Sequence, residues 1–474
     1  MKRIPSFILL LLLYCTGFAQ QKWNLKQCVD YALVNNISVK QADVQARFDK
    51  LTHDQSILAL YPTISSSHGI GLQFGRSIDR TSNQFTTTQF LNTNHGIDVG
   101  LDLFNWFRKK NTVAANDYLA QASAAKLEKA KNDIALNVAN AYLAALLNNE
   151  QINISKVQLD QSREQMENIK KQVNAGALPE LNLAEAQTQF ATDSSNLITA
   201  QTNYKLALLQ LMAVLNVDAD KPFEIAIPTV ESIPLEPLSA LDPALVYQSA
   251  LENLPQQKIN NLNLKAGEKN VAVAKAALYP SLSFYGGLST AYSNVKTNPL
   301  EYSTSEQNIG YVQINGVDYD VMSPIVQITK YGRDSYLKQL NNNFGQNVGL
   351  GLSIPIFNGG AARINWKKAK LNVESQQLLK EQDAQNLKQD IYQAHTNAVA
   401  AIEKFNASKI AVESAQKAYD FAKKRFDVGL LQPIDLITNQ NNLFRAKINR
   451  VSAQYDYVFK MKLLEFYKGL GLKL

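Results

Sequence analysis

The stretch ALYPTIS at Ala59–Ser65 returns as ALYPSLS at Ala277–Ser283, 277 − 59 = 218 residues later. Each follows about 36 residues rich in helix formers, 24–60 and 243–279, and each precedes a run of alternating side chains. Proline has no N–H to donate, and its ring clashes with the preceding helical turn. Pro62 and Pro280 therefore end a helix and admit a strand at the same point twice.

The match extends outward. ALVNN at 32–36 faces ALENL at 250–254 at the same 218-residue offset. Further along the offset becomes 253: LFN at 103–105 matches IFN at 356–358, and AGALPELNLAEAQ at 175–187 matches VGLLQPIDLITNQ at 428–440. The chain is internally duplicated, with 253 − 218 = 35 extra residues in the second copy. We expect a first repeat over 20–217 and a proline-rich linker over 218–242. A second repeat over 243–474 follows, with an insertion at about 291–343. The insertion, YSNVKTNPLEYSTSEQNIGYVQINGVDYD and its flanks, is polar and rich in Tyr and Asn. It is expected to be an extracellular loop that caps the exit or binds a surface partner.

The strands have period-two patterning. In 95–104, Ile97, Val99, Leu101 and Leu103 alternate with Gly96, Asp98, Gly100 and Asp102. Similar alternation marks 63–74, 281–290 and 344–354. One apolar and one small or polar face over about ten residues suits an outer-membrane barrel wall. Tyr61, Phe104, Trp106, Phe107, Tyr279 and Phe357 cluster at the strand–helix junctions, as an interfacial aromatic girdle would. A soluble β-sandwich edge is the other reading of this pattern.

Residues 107–175 and 361–428 contain neither Gly nor Pro. Each predicts a helix about 100 Å long at 1.5 Å per residue. Gly176 with Pro179, and Gly429 with Pro433, then stop one helix and start another, giving helical hairpins with return helices over 181–215 and 433–468. Each long helix is matched in length by a return helix and an opening helix placed end to end.

The first 19 residues read as a signal peptide: Lys2 and Arg3, the apolar run FILLLLLY, then Gly17 and Ala19 for cleavage. Tyr14 disfavours the alternative, lipidation at Cys15. Removing Lys2 and Arg3 lowers the formal charge from +7 to +5. That charge, with no basic cluster, gives no reason to expect a nucleic-acid partner. Cys28 is then the one remaining thiol, read as a small buried apolar residue. No phosphate loop, nucleophile elbow or metal-spaced Cys/His pair is present, so we expect no enzyme, no cofactor and no metal. His68 and His95, on neighbouring strands, are read as polar lumen or loop side chains rather than a metal site. Asp98 and Asp102 are read as lumen-facing.

Four strands cannot close a membrane barrel, whose smallest members have eight. An open edge in lipid leaves backbone groups unpaired, so the chain must oligomerise. The order of these elements, with WNLKQCVDYALVNN, the ALYP and IFNGG junctions and RFDVGLLQPIDLITNQNNLFRAK, resembles the TolC-like outer-membrane efflux family over nearly the whole mature length. The resemblance implies a mixed α and β fold: a homotrimer with a twelve-stranded outer-membrane β-barrel, four strands per chain, continued by a periplasmic α-helical barrel with an equatorial belt. It implies the exit duct of a tripartite efflux pump or type I secretion system, working with a periplasmic adaptor (membrane fusion) protein and an inner-membrane transporter. It places adaptor docking at Ala175, Gly176, Ala177, Val428, Gly429 and Leu430. It places the pore entrance at Asp435, Leu431 and Thr438. Here Thr438 stands where a second carboxylate can sit and Leu431 where some members carry a basic residue, so this chain departs from a strongly cation-selective gate. A structural or adhesive coiled-coil envelope protein is the competing class.

Overall fold

The computed structural model describes residues 22–78, 85–86, 89–228, 233–296 and 298–469. The expected signal peptide and Cys15 lie outside them. The chain divides into two compact units. One holds the chain up to Thr52, Ala115–Glu268 and Leu371 onward; the other holds His53–Ala114 and Lys269–Lys370.

The helices come first in each half. Those expected as single helices over 24–60 and 243–279 are each broken in two: α1 (Leu25–Asn35) and α2 (Ile37–Leu58), then α5 (Pro243–Asn253) and α6 (Pro255–Ala276). The breaks are equivalent, since 36 + 218 = 254, but their causes differ. Leu254 is extended because it precedes Pro255, whose ring disfavours the helical region for its neighbour. Asn36 is extended because its side chain makes the contacts that the helix gives up: its Oδ1 accepts from Ser38 N at 2.8 Å and its Nδ2 donates to Val214 O at 2.7 Å. The starts are equivalent too. Asn24 forms a capping box with Gln27, and Asp242 accepts from Ala244 N and Leu245 N.

The long helices are α3 (Arg108–Asn174) and α8 (Ala361–Asp427), 67 residues each. They return as α4 (Glu180–Leu215) and α9 (Pro433–Tyr467). No helix among the described residues is long and apolar enough to cross a membrane.

Two apolar cores hold the first unit, and they use the same repeat positions. Cys28, Ala32, Val138, Ala145 and Leu211 are buried in one; Val246, Ala250, Ile391, Ala398 and Leu464 are their counterparts, at offsets of 218 and 253, in the other. The proline-rich linker closes the first core. Ile225 pairs in parallel with Trp23, and the Tyr142 hydroxyl donates to Ala226 O. Cys28 is fully buried, which pushes its thiol up to about 12 and makes it inert. The linker's far end is tied by charge: Lys468 Nζ lies 2.6 Å from Glu236, and the buried Lys462–Glu465 pair, at 2.8 Å, accepts Glu236 N–H through Glu465.

The second unit is built on a sheet of order β1–β4–β5–β8, all antiparallel: Thr63–Gln73, Phe90–Phe104, Ser281–Ser293 and Gly345–Ser353. The strands are those the alternation predicts, β4 and β5 running longer than expected. A short pair, β2 (Ser77–Ile78) and β3 (Phe85–Thr86), lies between β1 and β4.

The insertion is not a loop. It is a hairpin of β6 (Asn298–Ile314) and β7 (Val317–Gly332), followed by a short helix, α7 (Tyr336–Asn342). Asn315 and Gly316 turn it with φ of 52° and 84°, the left-handed pair that a two-residue hairpin turn requires. Helix α7 is held on β5 by Thr290 Oγ1 donating to Leu340 O and Asn343 Nδ2 donating to Ala291 O.

At the strand-to-helix junctions, Trp106 and Phe107 adopt φ of 53° and 60°, where the second copy has Gly359 and Gly360 at 64° and 79°. A left-handed conformation costs a side-chain-bearing residue about 1–2 kcal/mol. Trp106 recovers this by stacking on Tyr279, centroids 4.3 Å apart and planes within 8°, with Phe104 edge-on. Phe107 has only an edge contact to Phe104. Thermal melts of single variants should therefore split. Phe107→Gly should gain up to about 1 kcal/mol. Trp106→Gly should gain nothing or lose stability. Equal losses for both would show that ring contacts, not backbone strain, dominate the junction.

Candidate functional site

The two hairpin tips are built alike. At the first, Gly176 has φ of 76°, its N–H donates to Val173 O, and Ala177 N donates to Gln172 O at 2.8 Å. At the second, Gly429 has φ of 73°, its N–H donates to Phe426 O, and Leu430 N donates to Arg425 O at 2.8 Å. Both are Schellman caps, which satisfy the last carbonyls of a helix and need a left-handed residue at that step.

The exposed side chains differ. Ala175 and Ala177 present little, whereas Val428 and Leu430 are each 69% exposed. Leu431 turns inward to half-burial and Pro433 is buried as the first residue of α9. Asp435 stands exposed in the first turn of α9, where the helix dipole favours a carboxylate. Thr438 is exposed too, but its hydroxyl donates to Ile434 O at 2.9 Å and is committed to the helix.

A polar seam runs between the first hairpin and α9, and the sequence reading missed it. Asp193 of α4 is 1% exposed and accepts from Gln158 of α3 at 3.3 Å and Gln189 at 3.0 Å. Gln189 and Asn441 of α9 exchange two amide hydrogen bonds, at 3.0 and 3.1 Å. The side-chain amide of Gln440, equally buried, has no hydrogen-bond partner among the described residues. Burial raises the Asp193 carboxyl above its usual range, with the amide donors opposing it. Only the helical 3–4 spacing of Gln158, Ser162 and Gln165, and of Gln189, Asp193 and Asn196, signalled the seam in advance.

In the sheet, His68 and His95 are brought together. They are directly opposite across β1 and β4, Nδ1 to Nδ1 2.9 Å, with His95 Nε2 2.9 Å from the Tyr336 hydroxyl. The expectation that they line the polar face is wrong. His68 alternates in phase with Ile64 and Ile70, and His95 with Ile97 and Val99, so the pair lies on the apolar face, where Tyr336 of α7 reaches it. No group of three or more metal-ligating side chains occurs among the described residues. Asp98 and Asp102 are on the polar face, Asp102 paired with Lys109 at 3.1 Å.

A family model described as outer membrane efflux protein matches residues 29–217 and 246–465. The chain belongs to the outer membrane efflux protein family. It is 23% identical over 479 residues to the outer membrane protein TolC of Salmonella enteritidis, covering 99% of this chain and 86% of that one. It is 20% identical over 439 residues to the toxin and drug export protein A of Aggregatibacter actinomycetemcomitans, covering 92% and 83%. Among solved structures, one of CusC, from a study of its folding and transmembrane channel formation, superposes with a TM-score of 0.77 at 19% identity, covering 94% and 92%. This chain is thus an outer-membrane exit duct of the efflux and secretion type, and the adhesive coiled-coil reading gives way. The proteins it resembles are channels rather than enzymes.

The seam generates a pH test. A carboxyl whose pKa is raised by folding favours the fold when protonated, and that contribution is lost as pH rises through the folded value. Asp193→Asn should raise the melting temperature by a few degrees at pH 7.5, and the gain should vanish near pH 4. An equal shift at both values would mean that the carboxylate is not disfavoured in the seam.

Proposed function

We propose that three copies close a twelve-stranded barrel and a periplasmic helical barrel, and that the hairpin tips dock a periplasmic adaptor serving an inner-membrane transporter. The observation carrying the docking role is the second tip. Two large apolar side chains, Val428 and Leu430, project from a loop whose backbone hydrogen bonds are already satisfied within its own cap. Such a loop is rigid, exposed and apolar, which is what a buried contact with a partner needs. The first tip, with Ala175, Gly176 and Ala177, supports close backbone approach instead. Closure by further copies is supported by the sheet, whose edge strands β1 and β8 pair on one side only among the described residues.

The entrance follows from the same turn. Asp435 from each copy forms a ring of three carboxylates. Thr438 adds no charge and Leu431 no basic lock, so the entrance attracts cations weakly and excludes little by charge. Cargo selection then belongs to the transporter. The fully processed chain begins at Gln20, after signal cleavage.

In-cell photocrosslinking from Leu430 tests the docking role. The expected product is a covalent complex with a periplasmic adaptor, absent when the probe sits at exposed Glu413 of α8. Crosslinks to no protein, with the trimer intact, would show that the tip is not the docking surface.

A further inference from the structure

Among the described residues, the strands of the β6–β7 hairpin, 17 and 16 residues long, pair with each other alone in a two-stranded sheet, with no third strand on either edge. An isolated two-stranded ribbon is marginal in water. At about 3.4 Å per residue it is roughly 55 Å long, about twice the height of the apolar band of an outer-membrane barrel.

Its outer half has one wholly apolar face and one mixed face. The register places Val312 opposite Tyr319, Ile314 opposite Val317 and Gly310 opposite Val321. These five large side chains share one face, each 39–55% exposed. The opposite face pairs Tyr311 with Asp320, Gln313 with Asp318 and Asn308 with Met322; it exposes Tyr311 and Met322 but also two carboxylates and two amides. The first face, all apolar, is the one that calls for cover.

The covering surface is at hand, given the trimer proposed above, on which this inference rests. The hairpin begins four residues after β5 and returns through α7 to β8, the strand whose free edge must receive the next copy. Twelve strands about 4.8 Å apart and tilted about 40° close a ring roughly 24 Å across. Three hairpin roots then stand about 20 Å apart, while stacked sheets pack about 10 Å apart. Ribbons of this length tethered that closely meet at effective concentrations in the millimolar range or above.

We propose that the three β6–β7 hairpins pack apolar face to apolar face as a collar over the outer mouth of the duct, with Asp318 and Asp320 turned to water. The collar covers the exit with the chain's own copies rather than with a separate surface protein.

Paired cysteine variants test this in the processed chain, whose native thiol at Cys28 is buried away from reagent, in outer-membrane vesicles treated with a short bis-maleimide. Val312→Cys should give covalent dimers at least about five times more than Gln313→Cys on the opposite face. Tyr319→Cys against Asp318→Cys repeats the comparison should the first pair assemble poorly. Native mass in detergent is read on every variant. A trimer with equal or no crosslinking on the two faces, or with conjugates only to another protein, overturns the collar and leaves the duct standing. Loss of the trimer in the unsubstituted chain overturns both.

Discussion

The backbone groups along β1 and β8 set the terms for this protein. Each edge strand bonds a neighbour on one side and presents a row of N–H and C=O groups on the other. In water such a row is a liability; in hydrocarbon it costs several kcal/mol per group. Four strands cannot curl enough to satisfy their own edges, so the sheet depends on copies of the chain. The same requirement extends to the hairpin, which among the described residues has two unpaired edges and an apolar face of its own.

Duplication meets this requirement economically, because one solved junction is used twice. Leu60 and Tyr61 close the turn after α2 by bonding Ile57 and Leu58, and Leu278 and Tyr279 close the turn after α6 by bonding Lys275 and Ala276. The copies then reach one geometry by different means. A proline breaks the second opening helix where an asparagine breaks the first. Two glycines turn the second strand–helix junction where a tryptophan and a phenylalanine are held in the same conformation. The tips diverge in surface alone, since alanines at one cap and valine and leucine at the other sit on the same backbone hydrogen bonds.

Much of this was legible in the residues. Glycine and proline punctuate sharply, so the junctions at Pro62 and Pro280 and the caps at Gly176 and Gly429 lie where they were expected, and alternation located the four strands. The break at Leu254 was readable from Pro255, but the break at Asn36 depends on a contact to Val214 from 178 residues away, which no local pattern carries. The hairpin was misread as a loop because its composition is polar, although the Asn315–Gly316 pair between alternating runs signals a turn. The histidines were assigned to the wrong face because their polarity was weighed above their phase with Ile64 and Ile97. The docking and entrance residues came from likeness to a family, and the proposal for them draws on capped helix ends, an exposed leucine and a carboxylate at a helix start.

The most direct test is the native mass of the protein extracted from the outer membrane in mild detergent. The account predicts three chains, hence twelve strands and no free sheet edge. A stable, folded monomer or dimer under those conditions would contradict it, because the edges of β1 and β8 would then be satisfied in some other way.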